Sequence, residues 1–68
     1  MFENDKKLLE AIKERESAKL VVEGYVAHFR AALLIGNKIG AEKHRQSAVD
    51  AFESLLDTEA RLVKEAGI

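Results

Sequence analysis

Histidine and hydroxyl side chains are the residues of this chain that could perform acid–base or nucleophilic chemistry. His28 and His44 are the two candidate bases. The candidate hydroxyl nucleophiles are Ser17, Ser47, Ser54, Thr58 and Tyr25. A hydrolase also needs an oxyanion-binding loop and a group that orients the base, and the sequence offers no pattern for either. We therefore predict no catalytic residue and a protein that is not an enzyme.

Metal-binding patterns are also weak. The absence of cysteine excludes disulfides and thiolate zinc sites. Di-iron bundles use Glu-x-x-His pairs, which do not occur here. Glu42 and His44 are two residues apart and diverge on a helix. We expect no metal site and no cofactor. We interpret His28 as a histidine at a dimer seam or at the edge of a helical bundle, hydrogen-bonded to a carboxylate or a carbonyl group.

A basic cluster near the middle of the chain is the strongest candidate for binding an anion or nucleic acid. It consists of Lys38, Lys43, His44 and Arg45. Residues 28–45 hold four basic residues and one acidic residue, a net charge of +3, whereas the whole chain has a net charge of −1. A helix N-terminus also favours anions. Two interpretations stay open, an anion-binding site and a solvated helix start that pairs with the acidic end of another chain.

These residues are positioned by two helices that flank the turn sequence Gly36-Asn37-Lys38-Ile39-Gly40. The chain lacks proline and is rich in alanine, leucine, lysine and glutamate, which favour helices. The predicted architecture is all-α, one antiparallel two-helix hairpin over residues 1–68. Helix 1 covers about 5–35, the turn 36–40 and helix 2 about 41–66. An alternative fold is a three-helix monomer broken near Ser17 or Gly24.

Local signals suggest how the helices begin and end. Asn4 or Asp5 can cap helix 1, and Asn37 or Gly40 can cap helix 2. Gly36 suits the left-handed conformation that follows a helix. Gly24 inside helix 1 marks a close approach of another helix or a kink, and we prefer the close approach.

Apolar residues recur at helical spacing in both helices. In helix 2 they are Ala41, Ala48, Val49, Phe52, Leu55, Leu56, Leu62, Val63 and Ala66. In helix 1, residues 20–35 are apolar around most of the circumference, which predicts burial on more than one side. Folding the chain back about Lys38 places the charged positions Arg15 and Lys19 opposite Asp57 and Glu59.

A single hairpin would leave part of this apolar surface in water. Chains of this size without a disulfide or metal usually need association with another chain. We therefore expect a homodimeric four-helix bundle. The predicted interface residues are Val22, Tyr25, Val26, Phe29, Leu33, Phe52 and Leu56. The basic turn and the acidic opposite end favour an antiparallel dimer.

We expect a soluble, cytoplasmic protein with no membrane partner, because residues 20–35 are too short to span a bilayer and contain charged residues.

The predicted function is a non-enzymatic protein-binding accessory or regulatory factor, a common role of small helical proteins of phages, plasmids and bacteria. Its contacts would lie around Lys13, Glu16, Arg61 and Lys64, or at the basic turn. The layout resembles the Rop-type plasmid copy-number regulators, which bind paired RNA hairpins. That resemblance implies the alternative function, a nucleic-acid-binding regulator.

Overall fold

Two long antiparallel helices form the structure, a computed structural model that describes residues 2–67 and the side chains of residues 5–67. Helix α1 runs Phe2–Leu34 and helix α2 runs Lys38–Ala66. The predicted all-helical hairpin is confirmed. Helix α1 passes through Ser17 and Gly24 without interruption, so the three-helix alternative is wrong.

A short connection joins the helices, and its hydrogen bonds show why each helix ends there. Gly36 has φ 76°, the left-handed region that glycine adopts without strain. The Gly36 and Asn37 amides donate to the carbonyls of Leu33 and Ala32 at 3.1 and 2.9 Å. These bonds satisfy carbonyl groups at the end of α1 that have no partner within the helix.

Helix α2 begins three residues earlier than the sequence pattern suggested. Asn37 is its N-cap, and the Asn37 side chain accepts a hydrogen bond of 2.9 Å from the Gly40 amide. An added Cβ at Gly40 would overlap the Asn37 side chain, so Gly40 leaves room for the cap. Of the two candidate caps, Asn37 and Gly40, it is Asn37 that caps α2. The connection between the helices is therefore shorter than the predicted turn of residues 36–40.

The predicted start of helix 1 also differs from the structure. Helix α1 begins at Phe2, so Asn4 and Asp5 lie within its first turns rather than before them. The predicted capping contact of Asn4 falls outside the described side chains. At the other end of the chain, Gly67 adopts φ 76° and its amide donates to the Lys64 carbonyl at 3.1 Å, which ends α2.

The contact between the two helices follows a regular seam with alternating steps of three and four residues, the spacing of a coiled coil. All of its described members are buried or half-buried. In α1 they are Leu8, Ala11, Arg15, Ala18, Val22, Tyr25, Phe29 and Ala32; in α2 they are Ala41, His44, Ala48, Ala51, Leu55, Thr58, Leu62 and Glu65.

Small residues occupy the most enclosed seam positions. Among the described residues, the fully buried hydrophobic side chains are Ala11, Ala32 and Ala41. The seam therefore holds the helices together without enclosing a large hydrophobic side chain. The Cα radius of gyration is 15.5 Å, compared with about 11 Å for a globular domain of this length.

Charged contacts join the two helices at the open end of the hairpin. Arg15 Nε lies 3.8 Å from Glu59 Oε1, and Arg61 donates a hydrogen bond to Glu14. The predicted pairing of Arg15 with the acidic segment of α2 is thus observed. Lys19 instead lies 3.9 Å from Glu16 on its own helix.

Gly24 does not mark a close approach of α2, contrary to our expectation. It is exposed, and a Cβ added at this position would have no neighbour within 4 Å. Nor does the helix break there. The glycine is on the side of α1 that faces away from the seam, where helix packing imposes no requirement for a small residue.

The same substitution at two glycines should therefore have opposite effects. Gly24→Ala should raise the free energy of unfolding by roughly 0.5–1 kcal/mol, because alanine favours the helix. Gly36→Ala should lower it by about 1 kcal/mol, because a Cβ strains the left-handed conformation. Urea unfolding followed by circular dichroism at one fixed protein concentration measures both. Destabilisation by Gly24→Ala would show that another chain packs at that position.

Candidate interaction surface

An open apolar groove runs along one flank of the hairpin. We call this surface the groove. Its volume is ≈ 630 Å³, and its polar lining residues are Arg45 and Glu53. Its apolar lining consists of Val22, Val26 and Phe29 from α1 and Ala48, Val49, Phe52 and Leu56 from α2.

The large side chains of the groove remain in contact with solvent. Val26, Phe52 and Leu56 are 41%, 49% and 51% exposed. Leu33 and Val63 are also exposed, and their helical spacing from Phe29 and Leu56 extends the same apolar face toward both ends. A continuous apolar surface of this kind is typical of an interaction site.

The total accessible surface of the chain is larger than expected for a globular monomer of its mass. Its accessible area is 5430 Å², whereas a folded monomer of 7.6 kDa is expected to expose about 4,300 Å². The excess of roughly 1,100 Å² exceeds the ≈ 800 Å² per partner that a standard protein interface buries. The hairpin thus has enough surplus surface for a stable interface.

The structure gathers most of the predicted interface residues on the groove. Val22, Val26, Phe29, Phe52 and Leu56 line it, and Leu33 continues its face. Tyr25 is half-buried in the seam with α2 instead.

Ala48 and Val49 also line the groove, although they are not among the predicted interface residues. The sequence does contain a pattern that indicates this position: α2 carries two adjacent apolar stripes. Val49, Phe52 and Leu56 each follow a seam residue by one position, and those seam residues are Ala48, Ala51 and Leu55. The single apolar stripe expected for helix 2 therefore divides into a half-buried seam and an exposed flank.

The predicted basic cluster does not converge on one point. Lys38, Lys43 and Arg45 are exposed, but Arg45 lies at the groove and 3.8 Å from Glu42. His44 is half-buried in the seam. Successive residues 43–45 point in three directions, about 100° apart on a helix. The cluster surrounds the start of α2 rather than forming a single pocket.

A pair of histidines spans the two helices on the other side of the seam from the groove. The ring centroids of His28 and His44 are 5.3 Å apart, with their planes at 68° in an edge-to-face arrangement. A second recess of ≈ 280 Å³ is lined by both rings and by Ala31, Ala32, Ile35 and Asn37. The two histidines are 16 residues apart in sequence and lie on different helices, so no local sequence pattern predicts that they contact each other.

The hydroxyl groups are not assembled into a catalytic arrangement within residues 5–67. Ser17 and Ser54 are exposed on opposite helices, and Ser47 is half-buried. The Thr58 hydroxyl donates to the Leu55 carbonyl of its own helix at 2.7 Å. The same residues contain no group of three or more histidine, aspartate or glutamate side chains suited to a metal ion.

The turn carries a further exposed apolar cluster, which we call the tip. It consists of Leu34, Ile35 and Ile39, which are 81%, 78% and 75% exposed. Lys38 lies between them in the chain and is also exposed. The tip therefore combines apolar surface with positive charge.

Within the described residues, neither helix has an apolar run long enough to cross a bilayer. Comparison with protein-family models, curated protein sequences and solved structures found no match to this chain.

Proposed function

We propose that this protein is a homodimeric helical interaction protein, in which two hairpins pack groove to groove as a four-helix bundle. The observation that carries the proposal is the exposed apolar groove together with the surplus surface area of the chain. A second copy of the same groove supplies an apolar surface of matching length. Covering both grooves buries on the order of 2,000 Å² in total, a size typical of obligate homodimers.

The distribution of charge favours an antiparallel dimer. A two-fold axis beside Phe52 sets α2 against the partner's α2 in the opposite direction. Val49 then packs against the partner's Leu56, and Arg45 lies near the partner's Glu59. Such an interface is isologous, so each contact occurs twice. A parallel dimer would instead bring the two basic turns together.

The function of this dimer is the binding of another protein through its tips. In the antiparallel arrangement the two tips lie at opposite ends of a rod whose hairpin is 53 Å long. The support is the exposure of Leu34, Ile35 and Ile39, the three most exposed large hydrophobic side chains among those described. An accessory or regulatory protein with two identical ends can hold two copies of a partner.

Nucleic-acid binding through Lys38, Lys43, His44 and Arg45 is the alternative function. The absence of acidic residues in the first turn of α2 favours it. The Glu42–Arg45 contact and the half-buried position of His44 weaken it. A mobility shift with mixed RNA and DNA that Lys43→Glu with Arg45→Glu abolishes would support this alternative over protein binding.

Val26→Glu should convert the dimer into a largely unfolded monomer. The new carboxylate would be desolvated in the centre of the interface. A lone hairpin is only weakly stabilised, because its fully buried hydrophobic side chains among the described residues are all alanine. Sedimentation equilibrium should show the mass falling from twice 7.6 kDa to 7.6 kDa, and circular dichroism should show loss of helix.

Leu20→Glu is the matched control, because Leu20 is 66% exposed and lies outside the groove. This variant should remain dimeric and helical. A wild-type protein that sediments as a cooperative 7.6-kDa monomer at micromolar concentration would contradict the proposed dimer.

Leu34→Ser combined with Ile39→Ser should weaken capture of the partner protein by about tenfold or more while leaving the dimer intact. Burial of each large aliphatic side chain contributes roughly 1.5–3 kcal/mol. Quantitative pull-down of one protein from the native host measures the effect, and Leu20→Ser serves as the control. An equal loss of partner capture by the Leu20→Ser variant would show that the tip is not the site of contact with the partner protein.

A further inference from the structure

We propose that His28 and His44 together bind one divalent transition-metal ion, which bridges α1 and α2 near the turn. Imidazole nitrogen is a preferred ligand of Zn²⁺, Cu²⁺ and Ni²⁺. The two rings belong to different helices and are brought together only by the fold.

The distance between the rings fits a shared ion. Zinc–nitrogen distances of about 2.0–2.1 Å at a tetrahedral angle place the centroids of two ligand rings roughly 5 Å apart. The observed separation is 5.3 Å. The 68° angle between the planes keeps the rings out of a parallel stack. A shared ion requires that one nitrogen of each ring point toward a common position.

The recess around the two histidines is open to solvent and large enough to hold a metal ion. His28 is exposed and His44 is half-buried, so the recess opens to solvent. Ala31 and Ala32 also line the recess, whose volume is ≈ 280 Å³. Two protein ligands leave other coordination positions for water, as in metal sites that exchange ligands. Asn37 also lines the recess, but its side-chain oxygen already accepts from Gly40.

This site is separate from the proposed dimer interface. None of the residues lining the recess lines the groove. Binding of the ion therefore does not require dimerisation. The proposed metal site and the proposed dimer can be disproved independently. Because the bridged geometry exists only in the folded hairpin, the bound ion also stabilises the fold.

Titration of the untagged, metal-free protein with CuCl₂ and with ZnCl₂ tests the proposal. Isothermal titration calorimetry should give one ion per chain, with Cu²⁺ bound more tightly than Zn²⁺. His28→Ala and His44→Ala should each weaken binding by at least about tenfold, since loss of a second-shell partner alone costs 10–100-fold. Lys43→Ala is the matched control and should bind as the wild type does.

The single variants distinguish a shared ion from two independent histidines. Independent binding would give two ions per chain, and each variant would lose one ion while the other kept its affinity. That result would overturn the proposal, as would one ion per two chains, which indicates a site between copies. Circular dichroism of both variants should show wild-type helix content, and the electron paramagnetic resonance spectrum of bound Cu²⁺ should report two nitrogen ligands.

Discussion

The narrow seam between α1 and α2 is the constraint on which the rest of this structure depends. Its most enclosed positions are Ala11, Ala32 and Ala41, whose side chains are too small to form a large hydrophobic core. The seam brings the helices into contact along their length, while Val26, Val49, Phe52 and Leu56 remain exposed on one flank. A hairpin built in this way cannot remove those side chains from water by itself.

The two flanks of the seam differ in chemistry. One holds the groove, where Val26, Phe52 and Leu56 form a continuous apolar surface. The other holds the recess with His28 and His44. The groove is therefore lined mainly by apolar side chains, whereas the recess carries two imidazole rings.

Polar residues at the seam favour the observed register of the two helices over shifted registers. Arg15 occupies a seam position, where its guanidinium lies near Glu59. Ion pairs at exposed positions contribute only about 0–1 kcal/mol to stability. A charged residue in a mostly apolar seam nevertheless disfavours alternative registers, because a shifted helix would leave the charge without its partner. At the turn, Gly36 and Asn37 set where one helix ends and the next begins.

The sequence by itself determined the two helices and the turn, because propensity, Gly36 and the Asn37 cap act locally. It also placed Arg15 opposite Glu59, since fold-back about a short turn fixes the approximate register. Only the tertiary structure decided which apolar residues face the seam. Ala48 and Val49 are neighbours in sequence, and a rotation of about 100° separates a seam contact from an exposed groove position. The His28–His44 pair likewise arises from the fold, because its members are on different helices and no local pattern connects them.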